Sequence, residues 1–499
     1  MEPTPSPKCG IGIAGLDDIL DGGLPKNRLY LVQGDPGVGK TTLALQYLLE
    51  GVRQQERGLY ITLSETREEL LEVAHSHGWS LDGFAVMELS AIEGELLQEA
   101  QNTLFHPSEV ELNRTTKLVL DEVEKVKPAR VVFDSLSEMR LLAETALRYR
   151  RQMLALKQFF AGRKTTVLML DDRTSGEADL QVQSISHGVL GLEKVPLDYG
   201  VERRRIKVVK MRGLKFRGGY HDFIIEQGGL RVFPRLVAAE HHRPFQRETV
   251  SSGLPALDAL LGGGLDRGTS SLFMGPAGTG KSTIAMQYAM AVAARGERVV
   301  IYAFDENVGT LLARANQIGM DIESHIKSKL ISLHQIDPAE LPPGQFASRI
   351  RDAVQHGKAR LVIIDSLNGY LNAMPDEKFL SIQMHELLSF LGQQGTLTIL
   401  TMAQHSLLGA LNAPVDLSYL ADTVILLRYF EAMGSVKKAV SVIKKRSGRH
   451  EATIREFKIT QQGIHVGEPL EQFQGVLTGV PTFFGKSHQV FTSDAGTKP

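Results

Sequence analysis

The chain has 499 residues, too many for one hydrophobic core and suited to about two to four domains. Its Lys+Arg 56 against Asp+Glu 57 leaves a formal net charge of -1, which gives no overall pull toward nucleic acid or an anionic membrane. The single cysteine, Cys9, excludes an internal disulfide framework and a cysteine-ligated zinc cluster and fits a reducing, cytoplasmic setting, while the absence of a long apolar run or a signal-like start argues against a membrane span.

In chain order, the entry segment 12–24 leads to a short apolar run, 29–33, which reads as a buried strand. Directly after it comes Gly34, Asp35, Pro36, Gly37, Val38, Gly39, Lys40 and Thr41, then Thr42 and a helix-like spacing to Val52. This is the pattern GxxxxGK[ST]: glycines let backbone N–H groups turn inward around an anion, and the following helix adds the positive end of its dipole. The loop is therefore expected to cradle ATP, with Lys40 on the terminal phosphates and the Thr41 hydroxyl on a Mg2+ ion.

The next apolar run, 58–65, ends in Glu65, placed to orient or deprotonate an attacking water. Glu68 and Glu69 read instead as helix-start residues, because T-R-E-E from Thr66 is a capping box. The run 129–135 closes on Asp134 and Ser135, a Walker B pattern in which Asp134 holds the metal through its water shell. Two further strands are expected at 165–170 and 188–192, and an antiparallel pair, 203–212 with 220–233, closes the half. Lys210 and Arg212 alternate on one side of that closing strand and can point at a single anion, as finger residues supplied to a neighbouring subunit would. The polar stretch 237–248, with His241 and His242, reads as a solvated linker.

The whole series then repeats. Asp17 and Asp258, like Lys40 and Lys281, are 241 positions apart, so the halves read as copies of one domain. The second copy supplies the loop Gly275, Pro276, Ala277, Gly278, Thr279, Gly280, Lys281, Ser282 and Thr283, with Ser282 as the second metal hydroxyl. It also supplies the acids Asp305 and Glu306, the Walker B pair Asp365 and Ser366, and the closing cations Lys444 and Arg446. Strands are expected at 396–402 and 423–427, with 437–446 and 453–466 closing. The expected architecture is α/β: two tandem RecA-like P-loop NTPase domains, each a mostly parallel sheet with helices on both faces. The boundaries are 1–240, 241–483 and a flexible tail, 484–499.

These loops, the GLDDILDGGL entry, the positions 64–65 and 305–306, the Asp-Ser pairs, Lys210 to Gly213 and Ile454 to Thr460 together resemble the KaiC family, from about residue 10 to about residue 483. The resemblance implies a homo-hexameric double ring with ATP at subunit interfaces, ATP hydrolysis in the first ring and self-phosphorylation in the second. It also implies a regulatory or signalling role with a protein partner. Ser418 matches the family's phosphorylated serine, whereas Tyr419 stands where the family has threonine and Ser64 where it has glutamate. The alternative is a recombinase or helicase, a RecA-like ATPase driven by DNA; neutral net charge and few aromatics among the closing cations argue against nucleic acid as a partner.

Overall fold

The computed structural model describes residues 7–89, 107–173, 178–197, 200–371, 377–404, 419–432, 434–476 and 482–484. The chain divides into two compact units, 1–235 and 236–499. Ser418 and nearly all of the expected tail, 485–499, lie outside the described residues.

In the first unit the sheet is built from β1 (Leu29–Gly34), β2 (Gly58–Thr62), β3 (Ala85–Glu88), β4 (Arg130–Asp134) and β5 (Thr166–Asp172). It continues with β6 (Gly188–Val195), β7 (Arg203–Met211), β8 (Tyr220–Glu226) and β9 (Gly229–Phe233). The order is β9-β8-β7-β6-β1-β5-β4-β2-β3. Pairing is parallel from β6 through β3 and antiparallel from β6 out to β9. The second unit uses β10 (Ser270–Gly275), β11 (Arg298–Ala303), β12 (Ile331–Gln335), β13 (Ala359–Asp365), β14 (Leu397–Ala403), β15 (Thr423–Ala432), β16 (Ser435–Lys445), β17 (Ile454–Thr460) and β18 (Gly463–Pro469). Their order, β12-β11-β13-β14-β10-β15-β16-β17-β18, is the first unit's order read from the other edge.

The central strands are mostly apolar because both faces are covered. Tyr30 and Val32 of β1 enter one core with Leu43, Tyr47 and the entry segment's Ile11, Leu16 and Ile19. Leu29 and Leu31 enter the opposite core with Met153, Leu156 and Phe160. The repeated entry aspartates are structural: Asp17 accepts from the N–H groups of Ile11 at 2.8 Å and Gly12 at 3.0 Å, and Asp258 accepts from Ser252 N and Ser252 Oγ, each at 2.8 Å. Each fixes the bend that brings its entry segment onto the core.

Two features depart from the sequence reading. The closing elements are three strands per unit, since tight turns split 220–233 and 453–466 into hairpins. The stretch read as a solvated linker carries a 3-10 turn, Ala238–His241, with Ala238 buried and its N–H donating to Glu386 at 3.0 Å. The His241 ring meets Phe390 edge-on at 5.3 Å, so that histidine is a packing residue and His242 alone of the pair is exposed.

Candidate functional site

A parallel sheet whose order reverses around its central strand leaves a crevice at the strand carboxyl ends, where ligands bind. In both units the phosphate loop leaves the central strand at that end. Gly39 (φ 111, ψ 23) and Gly280 (φ 113, ψ 16) cap the next helices, Lys40–Arg53 and Lys281–Ala294, in left-handed conformation. Side chains cannot replace them: a Cβ at Gly39 would lie 2.6 Å from Ile225 Cδ1, and one at Gly280 would lie 2.7 Å from Phe457 Cε1. The closing hairpins therefore support the loops from below. Val38, Thr42 and Thr283 turn their side chains into the protein, leaving their backbone amides as their contribution to the loops.

In the first unit Asp134, at the tip of β4, is buried and accepts from Thr41 Oγ1 at 3.3 Å and from the Tyr60 hydroxyl. Burial pushes its carboxyl upward in pKa, opposed by those two hydroxyls and by the Lys40 charge. Glu65 lies just beyond β2, in a turn fixed by Thr62, whose Oγ1 accepts from Glu65 N at 2.9 Å and donates to Glu65 O at 2.7 Å. Burial, followed by the charges of Asp134 and Glu69, pushes the Glu65 carboxyl up to about 7, with Lys40 opposing. Its Oε2 is buried and, among the described residues, has no hydrogen-bond partner. Ser64 beside it is exposed. Thr66 and Glu69 form the expected capping box, Thr66 N donating to Glu69 Oε2 at 2.7 Å, so Glu69 caps the helix.

The second unit brings the corresponding groups together with different partners. Asp365 ends β13 and accepts from Thr401 Oγ1 on β14, a neighbouring strand on the opposite side from the one that carries the Tyr60 counterpart. Ser366 donates to Asp305, and Glu306 pairs with Arg314 at 2.7 Å. Ser135 and Ser366 each follow a cis peptide bond after the Walker B aspartate. Lys281 donates to the carbonyls of Gly275 and Pro276, both at 2.8 Å; burial lowers its ammonium pKa, with Asp365 and Asp305 opposing. Pro276 O also accepts from Thr279 Oγ1 at 2.8 Å, and Ala277 O accepts from the Tyr429 hydroxyl at 3.1 Å.

The donor set suits magnesium. Among the described residues no group of three or more His, Cys, Asp or Glu is placed to hold a metal. A hydroxyl facing a carboxylate, as Thr41 faces Asp134, is what an ion held largely by water and phosphate oxygens needs.

Within the chain the closing cations reach backbone carbonyls: Lys210 and Arg212 share Ser184 O, whereas Lys444 and Arg446 have different partners. Lys210 reaches Gln183 O at 2.6 Å, Ser184 O at 3.3 Å and Ser186 O at 2.9 Å, and Arg212 reaches Ser184 O at 2.9 Å. Lys444 reaches Ala421 O at 2.7 Å, and Arg446 reaches Tyr419 O at 3.0 Å and Asp422 at 3.6 Å. Asp171 and Asp172 at the tip of β5 escaped the sequence reading, which follows the apolar run only to Leu170; the acids themselves, directly after such a run, are the same signal that marks Asp134.

Comparison with known proteins agrees with this geometry. A family profile described as "ATPase: KaiC" matches residues 9–237 and again 250–471. The circadian clock protein KaiC3 of Synechocystis sp. is 27% identical over 486 residues, 96% of this chain and 95% of that protein. The circadian clock oscillator protein KaiC of Synechococcus elongatus is 27% identical over 477 residues, 94% and 91% of the two chains. The circadian clock protein KaiC2 of Synechocystis sp. is 28% identical over 480 residues, 95% and 83% of the two chains. With two phosphate loops, two Walker B strands and one sheet order used twice, the chain belongs to the KaiC ATPase family and carries two KaiC domains in tandem.

Proposed function

We propose that this KaiC-family ATPase binds and hydrolyses Mg2+-ATP at both loops, transfers phosphate to Ser418 in the second domain, and works as a regulatory homo-hexamer. The observation that carries the hydrolytic part is Glu65: a carboxyl raised to about 7, with a buried oxygen that has no partner among the described residues, beside the Walker B aspartate. A general base with a pKa near working pH removes a proton from water effectively. The loop amides and Lys40 bind the phosphates, Thr41 and Asp134 hold the metal site, and Glu65 orients water and takes its proton as the terminal phosphoryl leaves ADP. Magnesium, when bound, neutralises phosphate charge.

In the second domain Asp305 or Glu306 would take the proton of the Ser418 hydroxyl as its oxygen bonds to the terminal phosphorus and the bond to ADP breaks. Support comes from the residues just after Ser418: Arg446 holds Tyr419 O and Lys444 holds Ala421 O, which ties that segment to the cations proposed to face a neighbour's nucleotide. The regulatory role is supported by the clock proteins the chain resembles, and the ring is carried over from the family resemblance. Incubation with γ-labelled ATP is expected to leave label on the wild-type chain and none on Ser418→Ala. Equal labelling of both, or of neither, removes the transferase part and leaves hydrolysis standing.

A further inference from the structure

Each Walker B aspartate is held by a hydroxyl from a neighbouring strand, and in the two domains those strands lie on opposite sides. In the first domain the Tyr60 hydroxyl, on β2, donates to Asp134 Oδ2 at 2.5 Å, where Thr41 Oγ1 also donates at 3.3 Å. In the second, Thr401 Oγ1, on β14, donates to Asp365 Oδ1.

Strand register identifies the matching positions. Thr62 pairs with Asp134 and Ala303 with Asp365, so Tyr60 corresponds to Ile301. Leu170 pairs with Val32 and Thr401 with Phe273, each two residues before the first loop glycine, so Thr401 corresponds to Leu170. Ile301 and Leu170 are fully buried and carry no polar side-chain atom. Each domain therefore has one hydroxyl and one aliphatic chain at these two places, with the sides exchanged.

The exchange has a steric basis. Side chains two residues apart on a strand share a face about 6.6 Å apart, a gap that a tyrosine ring spans and a threonine does not. The nearer hydroxyl, Thr62, directly across from Asp134, is committed to the Glu65 turn. Burial alone does not dictate the partner of Tyr60. Tyr30 and Tyr47 are equally buried in the same core, and they donate to backbone carbonyls, Pro25 O at 2.6 Å and Thr166 O at 2.9 Å.

We propose that Tyr60 is a positioning residue of the first site: its hydroxyl fixes Asp134 Oδ2 and leaves Oδ1 for the water shell of a bound magnesium ion, the task that Thr401 performs from the other flank for Asp365. This rests on the nucleotide-site reading above.

The test uses the full chain carrying Lys281→Ala, which leaves the first site, and reads equilibrium binding of the β,γ-imido analogue of ATP with Mg2+ and with EDTA. Adding Tyr60→Phe keeps the ring in the core and is expected to leave binding in EDTA unchanged, while the tightening brought by Mg2+ shrinks by roughly tenfold. Turnover should need roughly tenfold more Mg2+ to reach half its maximum. Adding Leu170→Thr to Tyr60→Phe supplies the second domain's hydroxyl and should return both responses toward the parent's values. A hydroxyl that serves folding alone would lower Tm in Tyr60→Phe and leave both Mg2+ responses unmoved. That result, or no recovery in a double variant that melts as Tyr60→Phe does, overturns the proposal alone. If the double variant melts early, Thr401→Val in the Lys40→Ala chain decides: it must lose the Mg2+ response at the second site, and an unmoved response there overturns the proposal. No analogue binding in the parent, with Mg2+ or without, overturns the nucleotide-site reading as well.

Discussion

Glu65 shows how a residue's role depends on what surrounds it. One residue from Thr66 and four from Glu69, it belongs to a stretch whose other acids start a helix, and burial beside Asp134 is what separates it from them. Glu65→Gln is expected to lower first-domain turnover by roughly a hundredfold or more. Wild-type turnover at that site should fall as pH drops through about 7, because the base must be unprotonated, and the variant should lack this dependence. The stability sign is opposite. A carboxyl raised from 4.5 to about 7 keeps a proton in the folded state that the unfolded chain has released, so ionising it costs stability as pH rises across that window. Thermal melts at pH 8 should therefore place Glu65→Gln above wild type. The identity of this acid was readable from its spacing to Lys40; its elevated pKa was not, because that comes first from burial in the fold and then from the charge of Asp134, 69 residues further on. Asp172 was hidden for a related reason, since acids end an apolar pattern while backbone pairing to β1 continues through them.

At the level of elements, each loop depends on the hairpin that closes its sheet. Gly39→Ala forces a side chain into left-handed backbone against Ile225, which should cost about 1–3 kcal/mol, seen as a lowered Tm with weakened nucleotide binding. Gly37→Ala is the control: its Cβ would meet nothing within 4 Å, and its φ of +72 charges only the backbone part of that cost. The parallel strands were legible because strands covered on both faces read as unbroken apolar runs. The edge strands β3 and β12 were not, because Ala85–Glu88 is only half buried and Ile331–Gln335 becomes exposed toward its end, so neither keeps that pattern. The turn at 238–241 was likewise lost to its polar composition, although the edge of His241 packs on Phe390.

For the whole molecule the account makes two claims: each KaiC domain is a nucleotide site, and closing-strand cations of one subunit complete a neighbour's site. The second is tested by mixing. Lys210→Ala and Lys40→Ala are each expected to have little first-domain turnover alone and to recover part of it together, because a mixed ring contains interfaces with both lysines; no recovery would confine Lys210 to holding Gln183, Ser184 and Ser186 of its own chain. Repetition along the sequence revealed the tandem domains, whereas ring contacts leave no comparable pattern in one chain. The first claim is tested most directly by counting Mg2+-nucleotide bound per chain at saturation. The account predicts two in wild type, one in Lys40→Ala, one in Lys281→Ala and none in the double variant; a wild-type count of one, or a lysine variant that keeps both, would contradict it.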